Sequence, residues 1–230
     1  MMNKFAVVGM GQFGIAIAQS LASRGAEVLA IDNKTERVEY IKDEVAHAVA
    51  LDATDLKALQ AQNIQDVDAV IVAIGEDFES LLMSTVQLME LEITRIIARA
   101  ANAQQRMILQ KLGIKEILSP EEEVGKNLAE TLLNPSIRSF LPLPDGYKIV
   151  EVNTPKRVTG RSIADIGLRK KYNLNLITIK RMFDEVQDGK KVKQEHIIGV
   201  PRADTLLYEE DIILLLGKAK DVERFIQLNQ

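Results

Sequence analysis

Gly9, Gly11 and Gly14 stand at the spacing G-x-G-x-x-G in Gly9-Met10-Gly11-Gln12-Phe13-Gly14, directly after the apolar run Phe5-Ala6-Val7-Val8. The chemistry this spacing offers comes from the backbone. Gly9 permits a tight turn, Gly11 lets the main chain approach a pyrophosphate, and Gly14 lets the following helix pack close to the strand. The freed N–H groups and the positive helix end then attract phosphate. Asp32 lies about 20 residues further on, where a carboxylate can accept both hydroxyls of a ribose.

Glycines at this spacing also arise by chance, so the flanking elements decide. An amphipathic segment with Ile15, Ala18, Leu21 and Ala22 on one stripe follows the turn. A second apolar run, Val28-Leu29-Ala30-Ile31, then ends in Asp32. Strand, glycine turn, helix, strand and acid is the order of a dinucleotide-type βαβ unit. The alternation continues to residue 119. Strand-like runs read at 46–51, 69–74, 95–100 and 116–118, with helical segments between them. Six strands with intervening helices imply a Rossmann-like, doubly wound parallel sheet with right-handed crossovers.

Ligands in such a sheet sit at the carboxyl ends of the strands. Sequence order delivers there Gly9 to Gly14, then Asp32 and Asn33, then Asp52, Ala53 and Thr54. Ile74, Gly75, Glu76 and Asp77 follow, then Arg99 and Ala100, and finally Ser119 and Glu121. Asp52-Ala53-Thr54 reads equally as a helix cap or as a contact on the adenine side. Arg99 reads as a phosphate cation or as one half of an ion pair. The expected ligand-binding set is Gly9, Met10, Gly11, Gln12, Phe13, Gly14, Asp32, Asn33, Asp52, Ala53, Thr54, Ile74, Gly75, Glu76 and Arg99. It holds no acid–base residue beside a cofactor, no Walker lysine and no nucleophile–base pair, so it reads as a binding site without catalysis.

Past residue 120 the pattern changes. A helix over 121–133 carries Val124, Leu128 and Leu132 on one stripe, and Ile137, Phe140 and Leu141 add apolar surface after it. That surface suits a contact with another subunit, or a cap on the helix's own sheet. Leu141-Pro142-Leu143-Pro144-Asp145-Gly146 reads as a stiff linker. The expected division is a nucleotide-binding domain over 1–140, a linker at 141–146 and a small α+β domain over 147–230. In the latter, strands read at 147–153, 174–182, 196–200 and 211–216, helices at 162–172 and 218–227, and a hairpin turn at Asp188-Gly189-Lys190.

Composition removes several function classes. The 230 residues carry 29 basic and 33 acidic side chains, a net charge of −4, which argues against a nucleic-acid partner. Cysteine is absent, which excludes disulfides, thiolate metal sites and cysteine nucleophiles and fits a reducing compartment. His47 and His196 are the only histidines, both within strand-like runs, so a histidine metal site is not expected. No apolar run has the length of a bilayer span; Ile212-Ile213-Leu214-Leu215-Leu216 suits a buried strand.

Taken together, Val7-Val8-Gly9-Met10-Gly11-Gln12-Phe13-Gly14, Val28-Leu29-Ala30-Ile31-Asp32, Asp52-Ala53-Thr54 and Asp68-Ala69-Val70-Ile71-Val72-Ala73-Ile74-Gly75 resemble a known family. So do Leu112-Gly113-Ile114 before Ser119-Pro120-Glu121, Thr159-Gly160-Arg161-Ser162-Ile163-Ala164-Asp165-Ile166, and Asp211 through Gly217. The chain resembles the RCK-domain regulatory subunits of Trk/Ktr-type bacterial potassium uptake systems over essentially its whole length.

The resemblance implies a cytoplasmic, non-enzymatic subunit, peripheral to the membrane through its partner. It would form homodimers assembling to an octameric ring that docks on a potassium-translocating membrane subunit. ATP and ADP, or NAD(H) in some members, would favour different ring shapes. Cyclic di-AMP is implied near Ile163-Ala164-Asp165 through Leu168-Arg169-Lys170-Lys171-Tyr172-Asn173, whose basic run otherwise reads as a solvated helix face. Glu121 matches an acidic position that implies a divalent-cation ligand; taken alone it is a favourable charge at a helix N-terminus. Two positions depart from the family pattern. Gln12 stands where many members carry an arginine that meets the terminal phosphate, and Glu76-Asp77-Phe78-Glu79 is acidic where polyphosphate would approach. The competing readings are an NAD-dependent oxidoreductase and a self-assembling scaffold with a vestigial pocket.

Overall fold

The computed structural model describes residues 3–187 and 190–230. The chain divides into two compact units between Glu123 and Val124.

The first unit alternates β1 (Lys4–Val8), α1 (Gln12–Ala22), β2 (Glu27–Asp32), α2 (Thr35–Ile41), β3 (His47–Ala50), α3 (Leu56–Gln60), β4 (Ala69–Val72), α4 (Phe78–Glu90), β5 (Ile96–Arg99), α5 (Ala103–Lys111) and β6 (Glu116–Leu118). Among the described residues the six strands form one sheet in the order β3-β2-β1-β4-β5-β6. Every pairing is parallel, with Val8 opposite Ile31 on one side and Val72 on the other. The side-chain period of two splits each strand between two cores. Ala6 and Val8 of β1, with Val70 and Val72 of β4, pack with Leu59, Leu81, Leu88 and Leu109. Val7 and Ile71 pack with Ala18 of α1 and Ile41 of α2. A parallel sheet covered on both faces needs such apolar strands, and all of β4 is buried. The order reverses between β1 and β4, which is where this fold opens a crevice.

The second unit contains most of α6 (Pro120–Leu133), then β7 (Ile137–Pro142), β8 (Tyr147–Asn153), α7 (Ile163–Ile166), α8 (Leu168–Tyr172), β9 (Asn175–Gln187), β10 (Lys190–Ile197), β11 (Ile212–Lys218) and α9 (Ala219–Asn229). Its strands form an antiparallel sheet in the order β10-β9-β11-β8-β7. Val150, Val152, Ile213 and Leu215 pack with Val222, Phe225 and Ile226 of α9. Asp211 is buried and takes two bonds from Arg181, at 2.8 and 2.7 Å, and one from the Tyr208 amide at 2.8 Å.

Several expectations for this unit are corrected. The segment 141–146 is not a linker. Leu141 and Pro142 end β7, and a short turn over Pro144–Gly146 leads into β8, closed by the Leu143 amide on the Tyr147 carbonyl at 2.9 Å. Ile137 is buried in the core and Phe140 packs on it, so neither adds exposed surface beside α6. The helix expected over 162–172 breaks at Gly167, whose φ of +69° is left-handed. The strand expected at 196–200 lies earlier, at Lys190–Ile197, and β9 runs on to Gln187. The expected turn residues Asp188 and Gly189 lie outside the described residues.

The helix α6 has no buried residue, and Val124, Leu128, Leu132 and Leu133 are all more than half exposed. Among the described residues, no helix is long and apolar enough to cross a membrane.

Candidate functional site

The carboxyl ends of β1 to β5 surround a cavity of about 810 Å³ in the first unit. Its floor is the glycine turn. Gly9 takes a φ of +96°, which glycine alone adopts without cost. A Cβ on Gly14 would overlap the Gly9 carbonyl oxygen, so this glycine sets the approach of α1 to β1. A Cβ on Gly11 would meet nothing within 4 Å, because that side of the turn is open. Gly11 is also the N-cap of α1 and provides no side-chain cap, and the first turn carries no acid. The start of α1 therefore presents backbone N–H groups and positive dipole charge without an internal anion to satisfy them. By contrast α3, α4 and α5 are capped by Asp55, Asp77 and Asn102.

Asp32 ends β2 with its side chain only 4% exposed. Its Oδ2 accepts from the Met10 amide at 2.6 Å and from Arg37 Nη1 at 3.4 Å, and its Oδ1 accepts from the Lys34 amide at 2.8 Å. The carboxylate thus fixes the glycine turn from behind while bordering the cavity. Asp52 holds Thr54 through both its amide, at 2.9 Å, and its hydroxyl, at 2.7 Å. The cap of α3 falls to Asp55, so Asp52 and Thr54 shape the cavity wall and do not start the helix.

The opposite end belongs to Arg99. Its guanidinium lies across Gly75, where a Cβ would collide with it, and 5.4 Å from the centre of the Phe13 ring. It pairs with Glu121. The Glu121 carboxyl is held below the usual carboxylate range by its own backbone amide and then by Arg99. Asp77 is lowered in the same sense, by the Ser80 hydroxyl and amide. Two buried polar atoms find no hydrogen-bond partner among the described residues, Arg99 Nε and Ser84 Oγ, and both residues line this cavity.

Of the residues expected from sequence, Gly9, Gly11, Gln12, Phe13, Asp32, Asn33, Asp52, Ala53, Thr54, Ile74, Gly75, Glu76, Arg99 and Glu121 line the cavity together. Met10 and Gly14 do not. The Met10 side chain is core and only its amide serves the site, through Asp32, while Gly14 is covered by the Gly9 carbonyl. Lys34, Arg37, Ser80 and Ser84 line the cavity and were not expected. Ser80 and Ser84 share a helix face at i, i+4, a signal present in the sequence of α4.

A nucleotide fits this cavity, because the uncapped amides at the start of α1 border a space of suitable size. Among the described residues no three potential ligand side chains come together, and Glu121 is engaged with Arg99. In the second unit Arg169, Lys170 and Lys171 are exposed, and Arg169 is tied to Asn175 Oδ1 at 2.9 and 2.7 Å.

Fold and site together define a class: a Rossmann-like α/β unit carrying a glycine-turn cavity, followed by an antiparallel α+β unit, as in RCK domains. Comparison with known proteins makes this specific. The model of the TrkA-N domain matches residues 5–120 and that of the TrkA-C domain residues 148–229, and the chain belongs to the TrkA-N/TrkA-C family that includes the Ktr potassium uptake proteins. It is 32% identical over 225 residues to Ktr system potassium uptake protein C of Bacillus subtilis (strain 168), covering 98% of this chain and 96% of that one. Ktr system potassium uptake protein A of the same organism is 32% identical over 223 residues, with 97% and 95% covered. Among solved structures, the GsuK channel superposes with a TM-score of 0.67 at 14% identity, over 100% of this chain and 40% of that one, a likeness of fold.

Proposed function

We propose that this protein is a regulatory subunit that binds an adenine nucleotide at the glycine-turn cavity and thereby controls a potassium-translocating membrane partner. The observation that carries the reading is the unsatisfied end of the cavity: an uncapped α1 turn together with the unpaired Arg99 Nε and Ser84 Oγ. Family membership supplies the potassium partner, since the relatives are named as potassium uptake proteins.

In this reading the α1 amides receive the phosphates, the Asp32 edge meets the ribose, and Asp52 to Thr54 border the base. The ligand supplies negative charge and hydrogen-bond acceptors where the chain has donors to spare. Its differential contacts bias the subunit between shapes, which is what control by a ligand requires. The exposed stripe of α6 serves contact between copies on the way to a ring, the octamer being the expected form. ATP and ADP are the first ligands to try, with NAD(H) second and cyclic di-AMP as a separate ligand for the second unit.

Thermal unfolding of the purified protein with ATP, ADP, AMP, NAD, NADH and cyclic di-AMP tests the reading. A ligand at 100 times its dissociation constant stabilises the native state by about 2.7 kcal/mol. At least one adenine mono- or dinucleotide is expected to raise the melting temperature. No shift with any of them overturns the nucleotide reading and leaves an assembling scaffold. Hydride turnover with a bound dinucleotide would make the protein an enzyme instead.

A further inference from the structure

A carboxylate at the end of β2 suits a free 2′-hydroxyl on an adenosine ribose, and an arginine nearby suits a 2′-phosphate. This chain has both. A carboxylate offers about four lone-pair positions. Asp32 Oδ2 accepts from the Met10 amide at 2.6 Å and from Arg37 Nη1 at 3.4 Å, and Oδ1 accepts from the Lys34 amide at 2.8 Å. While Arg37 stays, too little of the carboxylate is left to accept both hydroxyls of a ribose. Its charge is compensated as well, by a cation that lines the same cavity. The Asp32 side chain is 4% exposed and that of Arg37 is 35% exposed, so the cation is the more accessible member of the pair. Among the described residues, the bond to Asp32 is the one bond its guanidinium makes. Lys34 is exposed and lines the cavity too, whereas Glu36, the acid in the first turn of α2, does not.

From this arrangement we infer that Arg37 and Lys34 form a subsite for a phosphate on the 2′ position of the adenosine ribose, so that the ligands of this cavity include 2′-phosphorylated adenine nucleotides, the chemistry of the adenosine end of NADP(H). The inference rests on the nucleotide reading above and extends its ligand class. A hydroxyl at that position has little to give a guanidinium and an ammonium together. A phosphoryl group carries three acceptor oxygens and nearly two negative charges. It meets two cations, of which Asp32 cancels only one. The planar fork of an arginine binds phosphate through paired bonds, which one long bond to a carboxylate does not match. Arg37 therefore turns to the phosphate at small cost. Asp32 keeps its two backbone amides when the guanidinium leaves, so the glycine turn stays fixed.

The test is calorimetric titration of the whole chain with adenosine 5′-monophosphate and adenosine 2′,5′-bisphosphate, which differ by the one phosphate. The parent protein is expected to bind the bisphosphate at least as tightly as the monophosphate. Arg37→Gln should lower the ratio of bisphosphate to monophosphate affinity by about tenfold, the size of a charge-assisted bond to phosphate. Lys34→Gln should lower it by about two- to fivefold, the size of an exposed charge pair. NADP and NAD should fall in the same order. A parent protein that binds the bisphosphate less tightly than the monophosphate overturns the inference and leaves the nucleotide reading standing. Equal losses for both nucleotides in Arg37→Gln overturn it too, and make Arg37 a support of the glycine turn. An equal dependence on Arg37 for adenosine 3′,5′-bisphosphate overturns the assignment to the 2′ position. If no adenine nucleotide binds the parent protein, both readings fall together.

Discussion

Replacing Asp32 by alanine should destabilise the unliganded protein as well as weaken nucleotide binding. The Asp32 carboxylate is buried and accepts from two backbone amides and one guanidinium. The Met10 amide, bonded at 2.6 Å in a buried setting, has no substitute acceptor, and an orphaned buried N–H costs about 1–3 kcal/mol. The Lys34 amide is only part-buried, so water recovers most of its bond. Arg37, 35% exposed and 3.4 Å away, adds at most about 1 kcal/mol. The sum is about 1–4 kcal/mol, which for a unit of this size lowers the melting temperature on the order of 10 °C. Differential scanning calorimetry without ligand measures the first effect, and nucleotide titration well below the new transition measures the second. Asp32→Asn should recover part of the stability, because its amide oxygen still accepts from Met10. An alanine variant that melts with the parent protein while losing tenfold or more in nucleotide affinity would refute the reasoning. It would show a carboxylate that serves the ribose alone.

Other variants test other parts of the molecule. Gly14→Ala should cost about 1–3 kcal/mol and weaken every nucleotide, because the new methyl forces α1 away from the Gly9 carbonyl; urea unfolding with an unchanged midpoint would contradict this. Leu128→Glu with Leu132→Glu should shift the mass seen by light scattering toward the 25.6 kDa monomer, since both residues are exposed on α6. Loss of the Arg181 side chain in Arg181→Ala strips the buried Asp211 of its partner and should destabilise the second unit by about 3 kcal/mol; fluorescence-detected melting with no change would show that the Tyr208 amide suffices. Gln12→Arg should raise ATP affinity more than ADP affinity, and equal gains in calorimetry would place residue 12 away from the outer phosphate.

The first unit was legible because its rules are local. Each parallel strand is buried on both faces and so writes itself as an apolar run, as Ala69-Val70-Ile71-Val72 does, and each ends at the same side of the sheet. Listing strand ends therefore recovered most of the cavity wall. Apart from Lys34, which directly follows Asn33, the residues it missed lie one or two helical turns beyond those ends: Arg37 in α2 and Ser80 and Ser84 in α4. Reaching them requires the angle at which a helix leaves its strand, and sequence spacing does not contain that angle. The second unit hid more. Residues 181–187 of β9 pair with β10 beyond the reach of β11, as a ribbon with two solvated sides, so no apolar alternation marks them. The β7 strand was masked by Pro142, which an edge strand tolerates and a central one does not.

The two cores satisfy their groups well, and that gives the exceptions their meaning. Asp55, Asp77 and Asn102 cap their helices, the Ser119 hydroxyl receives Arg106, and Thr85 bonds back to the Leu81 carbonyl. Against that background the α1 turn without cap or acid, the idle Ser84 hydroxyl and the half-used Arg99 fork all border one cavity. Each leaves a buried or dipolar donor unpaid in the unliganded chain, where folding alone would favour an aspartate cap and an alanine at 84. Among the described residues of the first unit the idle polar groups border that one opening, the arrangement a ligand entering from outside would complete.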